Sequence, residues 1–160
     1  MPDYPFFPLF LDLSRKHIVI VGAGRIARRR IETLLPFTRT LRVIAPEIHP
    51  DLLELEQAGK LLISRKEYAH TDLDGADFVL AATDRPEVNR EIRDDCHRLG
   101  IPVNVSSDRF QSDFYFPGIA RKGPFVVGVT ASGTGHADAA KLTARLREVL
   151  ADWGEGELRD

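Results

Sequence analysis

Residues 17–30 read HIVIVGAGRIARRR. An unbroken apolar run, Ile18 to Val21, meets Gly22-Ala23-Gly24 and passes at once into a helix-like segment, Arg25 to Leu35. A strand, a glycine turn and a helix in immediate succession are the opening of a dinucleotide-binding unit. Gly22 permits the tight turn out of the strand, Gly24 lets backbone approach a pyrophosphate, and Ala27 takes the third fingerprint position, where only close helix–strand packing is required. N–H groups near residues 24–27 would then face phosphate at the positive end of the helix. The competing reading is a packing turn in a relative that binds no nucleotide.

Outward from this stretch, strand-like and helix-like runs alternate. Strands are expected at 17–21, 41–45, 61–64, 78–82 and 102–105, as continuous Val/Ile-rich runs suited to parallel strands covered on both faces. Helices are expected at 25–35, 50–58 and 86–99, the second closed by Gly59 and the third running from Pro86 to Gly100. Ala27, Ile31, Leu34 and Leu35 share one face of the first helix; Val88, Ile92, Cys96 and Leu99 are spaced as one stripe of the third. This order predicts an α/β fold, a Rossmann-like doubly wound parallel sheet with right-handed crossovers. After Asp108 the rhythm changes: turn formers, Phe114-Tyr115-Phe116-Pro117, Lys122-Gly123-Pro124, one strand at 125–130, a Gly-rich turn and a helix over 137–151. Leu142, Leu146, Val149 and Leu150 give that helix an apolar stripe. The expected division is a nucleotide-binding domain over 1–116 and a small appendage over 117–160, with a polar, frayed tail from Gly154. Too little chain is left in the appendage for a core of its own, so pairing with a second copy, a homodimer, is expected.

The composition narrows the partners. Net charge is −2 in 160 residues, leaving no basic footprint for nucleic acid. Hydrophobic residues make up 43% and charged residues 29%, enough for a core and too polar for a bilayer protein. No apolar run is long enough to span a membrane, and the N-terminal stretch lacks the basic start and cleavage site of a signal peptide. A single cysteine, Cys96, excludes an internal disulfide and reads as a buried small hydrophobe. A soluble cytoplasmic protein is expected. His17, His49, His70 and His97 are scattered and suggest no metal site.

The acid expected on the adenosine ribose closes the second strand about 20 residues after the glycine turn. That strand ends Ala45-Pro46-Glu47. Glu47 comes slightly late and reads either as the ribose ligand or as a solvated loop acid. No basic residue occupies 45–48 to hold a 2′-phosphate, which favours NAD over NADP. The fourth strand ends Ala82-Thr83-Asp84 at the expected crevice; Thr83 offers a hydroxyl, and Asp84 either caps the following helix or meets the cofactor.

Taken in order, Phe7 to Leu13, VGAGRIARRR, Val43 to Glu47, Ala81 to Asp84 with Asn89, Val103-Asn104-Val105 and Phe114 to Pro117 resemble the NAD-dependent precorrin-2 dehydrogenases, the oxidation module of siroheme synthases. The resemblance covers roughly residues 5–150. It implies a Rossmann domain followed by a dimerisation segment, and oxidation of the tetrapyrrole precorrin-2 to sirohydrochlorin with NAD+ as hydride acceptor while a base takes a proton. Carried over by position, Gly22, Gly24, Arg25, Ile26, Pro46 and Glu47 contact NAD, and Thr83 and Asn104 lie along the crevice. The family's carboxylate three places after the Asn of its Asn-Val pair falls here on Ser107, with Asp108 one later. Asp108 is therefore the candidate base, against a solvated turn acid. The family's Ser-Pro before the last helix is Gly135-His136 here, so His136 is a second candidate for moving a proton, against an exposed loop histidine. Arg28-Arg29-Arg30 reads as a solvated helix face or as cations for a polycarboxylate; Arg121 and Lys122 are the stronger substrate candidates. Some family members also insert iron, for which nothing in this chain argues independently. The alternative function is a non-catalytic nucleotide- or tetrapyrrole-binding relative, a regulator or carrier. A nucleotide-sensing domain of an ion-transport regulator fits the start but not the FYFP and final glycine segments.

Overall fold

The computed structural model describes residues 4–153. The expected frayed tail lies outside them. Five strands, β1 (Ile18–Val21), β2 (Leu41–Ile44), β3 (Leu62–Ser64), β4 (Phe78–Ala81) and β5 (Val103–Val105), form one sheet in the order β3-β2-β1-β4-β5. Every neighbouring pair is parallel, with Ile18 opposite Leu41 on one side and Phe78 on the other. The crossovers carry helices α1 (Arg25–Leu34), α2 (Pro50–Gln57) and α3 (Pro86–Leu99). The chain thus has the expected Rossmann-like α/β architecture, and strand order reverses between β1 and β4, where such sheets take their ligands.

Alternation along the strands feeds two buried faces. Val19, Val21, Val79, Ala81, Val103 and Val105 pack with Ile92 and Cys96 of α3. The intervening Ile18, Ile20, Val43 and Leu80 are equally buried on the opposite face. Burial pushes the Cys96 thiol up to about 12, with the Asp113 carboxylate a lesser cause, so it stays neutral and unreactive. The stripe expected on α3 is corrected at its end. Leu99 is 54% exposed, while Asn89 and Asp95 are buried. Both polar groups are paired, Asp95 with the Tyr68 hydroxyl at 2.7 Å and with Arg98, so neither incurs the cost of an unsatisfied buried group.

The chain divides into two compact units, Leu11–Tyr115 and a second taking in residues 4–10 and 116–153 of the described chain. Residues 4–10 group with the C-terminal part and not with the Leu11–Tyr115 unit. The Phe6 N–H donates to Ser132 Oγ at 3.0 Å. The second unit is an antiparallel hairpin, β6 (Gly118–Lys122) and β7 (Phe125–Val129), with helix α4 (His136–Asp152). β6 was not expected, because its residues read as turn formers. Gly123 (φ +53°) and Pro124 make the two-residue turn that pairs Lys122 with Phe125. α4 lies so close to β6 that a Cβ on Gly118 would stand 2.1 Å from Thr143 Oγ1. Its buried positions are Thr143 and Leu150, while Leu142 and Val149 are about half exposed. Lys122, a sequence candidate for substrate, instead donates through Nζ to Ala151 O at 2.9 Å and to Trp153 O, satisfying carbonyls at the C-terminus of α4.

Among the described residues no helix is long and apolar enough to cross a membrane.

Candidate functional site

The ends of β1, β2 and β4 open into a cleft of about 690 Å³ within the Leu11–Tyr115 unit. Gly22, Gly24, Arg25 and Ile26 line it from β1 and α1, Pro46 and Glu47 from the end of β2, and Thr83 and Asp84 from the end of β4. Residues far apart in sequence therefore meet at the switch point.

The two glycines serve different ends. Gly22 has φ +107°, and a Cβ there would stand 2.4 Å from Ala82 O. The protein's own backbone requires glycine at that position. Gly24 has φ −83°, and a Cβ would meet nothing within 4 Å. No fold contact requires this second glycine; its bare Cα faces open space at the head of α1.

That head is uncapped. Gly24 provides no side-chain bond, the first turn has no acid, and the first helical bond runs from Arg28 N–H to Gly24 O at 2.9 Å. The N–H groups of Arg25, Ile26 and Ala27 have no intrahelical acceptor, which leaves a positive, donor-rich end for an anion. Ile26 remains 48% exposed beside it, an apolar wall. Such a place suits the pyrophosphate of a dinucleotide.

At the β4 side, Asn89 organises the rim. It is 1% exposed and its Oδ1 accepts from Thr83 N–H at 3.1 Å and Thr83 Oγ1 at 2.7 Å. Its Nδ2 donates to Thr83 O at 3.1 Å and to Ser107 Oγ at 3.3 Å. Because a backbone N–H can only donate, the amide orientation is fixed. The sequence signal for Asn89 is its position in the buried stripe of α3, one residue after Val88. Thr83 also accepts from Arg85 N–H at 3.2 Å. It, not Asp84, holds the start of α3: Arg85 is the N-cap, and Asp84 is exposed on the cleft wall.

Asn104 is on β5, buried, and is not among the residues lining the cleft. Its Nδ2 donates to Phe114 O at 2.8 Å, which ties down the segment after β5, while Oδ1 has no protein partner. Asp108 is the N-cap of the short helix Arg109–Gln111. One carboxylate oxygen accepts from Phe110 N–H at 2.9 Å and the other from Gln111 Nε2 at 2.7 Å. Asp108 and Ser107 line a smaller pocket of about 220 Å³ with Asn89, Arg90 and Gln111. His136 is the first residue of α4, exposed, in the other compact unit. The arginine run does not act as one cationic patch: Arg28 pairs with Glu32 and Asp51, both at 2.9 Å, Arg29 is exposed, and burial pulls Arg30 down to about 10. Among the described residues no cluster could hold a metal ion.

An open parallel sheet with a glycine turn and an uncapped helix at its switch point defines a dinucleotide-binding protein of the Rossmann class. A family model described as "Putative NAD(P)-binding" matches residues 9–118, and the chain belongs to that family. It is 39% identical over 153 residues to a siroheme synthase of Chromobacterium violaceum, covering 96% of this chain and 32% of the relative. A siroheme synthase of Saccharophagus degradans is 35% identical over 145 residues, covering 91% of this chain and 31% of that one. The chain thus spans about a third of the length of the curated relatives it matches. Among solved structures, SirC, a precorrin-2 dehydrogenase, superposes with a TM-score of 0.72 at 26% identity, covering 95% of this chain and 73% of that one.

Proposed function

We propose that this chain oxidises precorrin-2 to sirohydrochlorin, with NAD+ taking the hydride and a protein group taking the proton. The observation that carries the reading is the bare, uncapped approach at Gly24, in a chain similar along nearly its whole length to siroheme synthases and to a precorrin-2 dehydrogenase. Bound NAD+ supplies the hydride acceptor; the protein's part is to place the macrocycle against it and accept a proton. Residues 24–27 hold the pyrophosphate, with Gly22 shaping the turn and Arg25 at the cleft lip. Pro46 and Glu47 border the adenosine ribose, Glu47 accepting from its hydroxyls. Thr83, held by Asn89, meets the nicotinamide half, and Asn104 acts from behind it through its free Oδ1. Purified protein mixed with NAD+ and fresh precorrin-2 should form NADH and sirohydrochlorin in equal amounts. Binding of NAD+ without any turnover of fresh substrate refutes this reading.

Proton transfer is assigned to Asp108, with His136 as the second candidate. To serve, Asp108 must release the Gln111 amide that occupies one of its oxygens. Asp108→Asn should lower kcat at least about a hundredfold, the worth of a general base, with the Kd for NAD+ unchanged. If turnover survives, the same measurement on His136→Ala locates the base. The occupied carboxylate of Asp108 also favours a second reading, a relative that binds nucleotide or tetrapyrrole without turning it over. Absence of turnover together with tight NAD+ binding would select it.

The protein acts as a cytoplasmic homodimer in this reading. Leu142 and Val149 on α4, with Phe125 and Trp153, leave apolar surface on the second unit that a second copy would cover. Light scattering at micromolar concentration should give twice the chain mass, and Leu142→Glu with Val149→Glu should give a monomer.

A further inference from the structure

Lys66 lines the cleft beside Pro46 and Glu47. Ser64, the last residue of β3, is in register with Ile44, the last of β2, and Lys66 N–H donates to Ser64 O at 3.0 Å. The lysine therefore stands at the β2 edge, where a dinucleotide in this strand order places its adenosine ribose. A lysine there is suited to a 2′-phosphate. Its ammonium is instead 2.9 Å from Asp72 Oδ1.

Asp72 sits on the short helix His70–Leu73, and its side chain is 3% exposed. The same oxygen meets Arg42 at 3.1 Å, and Oδ2 accepts from Ala69 N–H at 2.9 Å. A buried carboxylate depends on its partners, so pulling Lys66 away removes one of the two cations that Asp72 meets where water is excluded. Arg65 pairs with Glu56, and Arg28 with Glu32 and Asp51, while Arg25 lines the cleft from the head of α1. His49 Nδ1 accepts from Asp51 N–H.

We infer that Asp72 is a positioning residue that makes the cleft select NAD+ over NADP+, by holding the Lys66 ammonium away from the 2′ position of the adenosine ribose. The inference rests on the dinucleotide site proposed above. Glu47 at the same edge repels a 2′-phosphate that Lys66 does not neutralise.

Titration calorimetry of the full chain with NAD+ and with NADP+ tests it without any turnover. The wild type should favour NAD+ by at least about tenfold, and Asp72→Asn, which keeps an acceptor for Ala69 N–H, should tighten NADP+ about tenfold, the effect of one charge-assisted phosphate contact. Adding Lys66→Met should remove that gain. A folded Asp72→Asn protein with an unchanged ratio overturns the inference, as does a wild type that takes both nucleotides equally. If circular dichroism shows Asp72→Asn unfolded, Lys66→Met alone decides. An NADP+/NAD+ ratio within about threefold of wild type supports the held lysine, and a larger loss of NADP+ affinity overturns it. Binding of neither nucleotide overturns the dinucleotide site and the selection with it; NAD+ binding with unaltered selection overturns the selection alone.

Discussion

Gly22→Ala should destabilise the protein by about 3 kcal/mol or more, enough to unfold a domain of ordinary stability. Two causes act together. The residue would be held at φ +107°, and its Cβ would stand 2.4 Å from Ala82 O and 2.6 Å from the carbonyl carbon. Relief would require β1 and β4 to part at the turn, where Ala82 N–H donates to Val21 O at 2.8 Å. The neighbouring change, Gly24→Ala, should do the opposite. With φ −83° and nothing within 4 Å of the added carbon, it should alter stability by no more than about 1 kcal/mol, the scale of an N-cap change. Its cost should fall on NAD+ affinity, lowered about tenfold or more by a methyl group set against the pyrophosphate. Thermal unfolding and titration calorimetry on both variants check the pair. A Gly24→Ala protein that binds NAD+ at wild-type strength would remove the cofactor from the head of α1.

Asn89→Ala should lower stability by about 3 kcal/mol and weaken NAD+ binding as well. The side chain is fully enclosed and serves both ends of Thr83 while reaching Ser107. Truncation leaves the Thr83 N–H and carbonyl without that partner and opens a void at the rim. Thr83→Val removes only the hydroxyl and should cost about 1 kcal/mol. Denaturant unfolding of the two variants measures the difference. Equal losses would show that the network contributes no more than its single hydroxyl.

The sheet was legible because parallel strands buried on both faces write themselves as continuous Val/Ile runs, and because Gly100 and Pro86 bracket α3 as expected. The glycine turn after β1 was legible for a related reason. A turn that tolerates no Cβ at Gly22 leaves glycine as its mark. β6 was not legible, since a two-residue turn at Gly123-Pro124 and a strand bearing Arg121 and Lys122 look like loop until the partner strand is known. Lys122 shows the same difficulty. From the sequence its ammonium reads as a cation for a substrate, whereas its bond to the end of α4 forms only when backbone carbonyls converge on it in space. Asp72 lies further still from view, because its partners are two cations brought to it from β2 and from the loop after β3.

The bond from Phe6 to Ser132 gives the two units an order of birth. As the chain emerges from the ribosome, residues 4–10 appear before Leu11–Tyr115 but meet their partner only after the whole of that unit has passed. The nucleotide unit is one unbroken stretch and can complete its sheet while the opening segment still waits. Removal of residues 4–10 should therefore spare the sheet and deprive the other unit of the Phe6 bond to Ser132, so a cut made before the nucleotide unit should be felt after it.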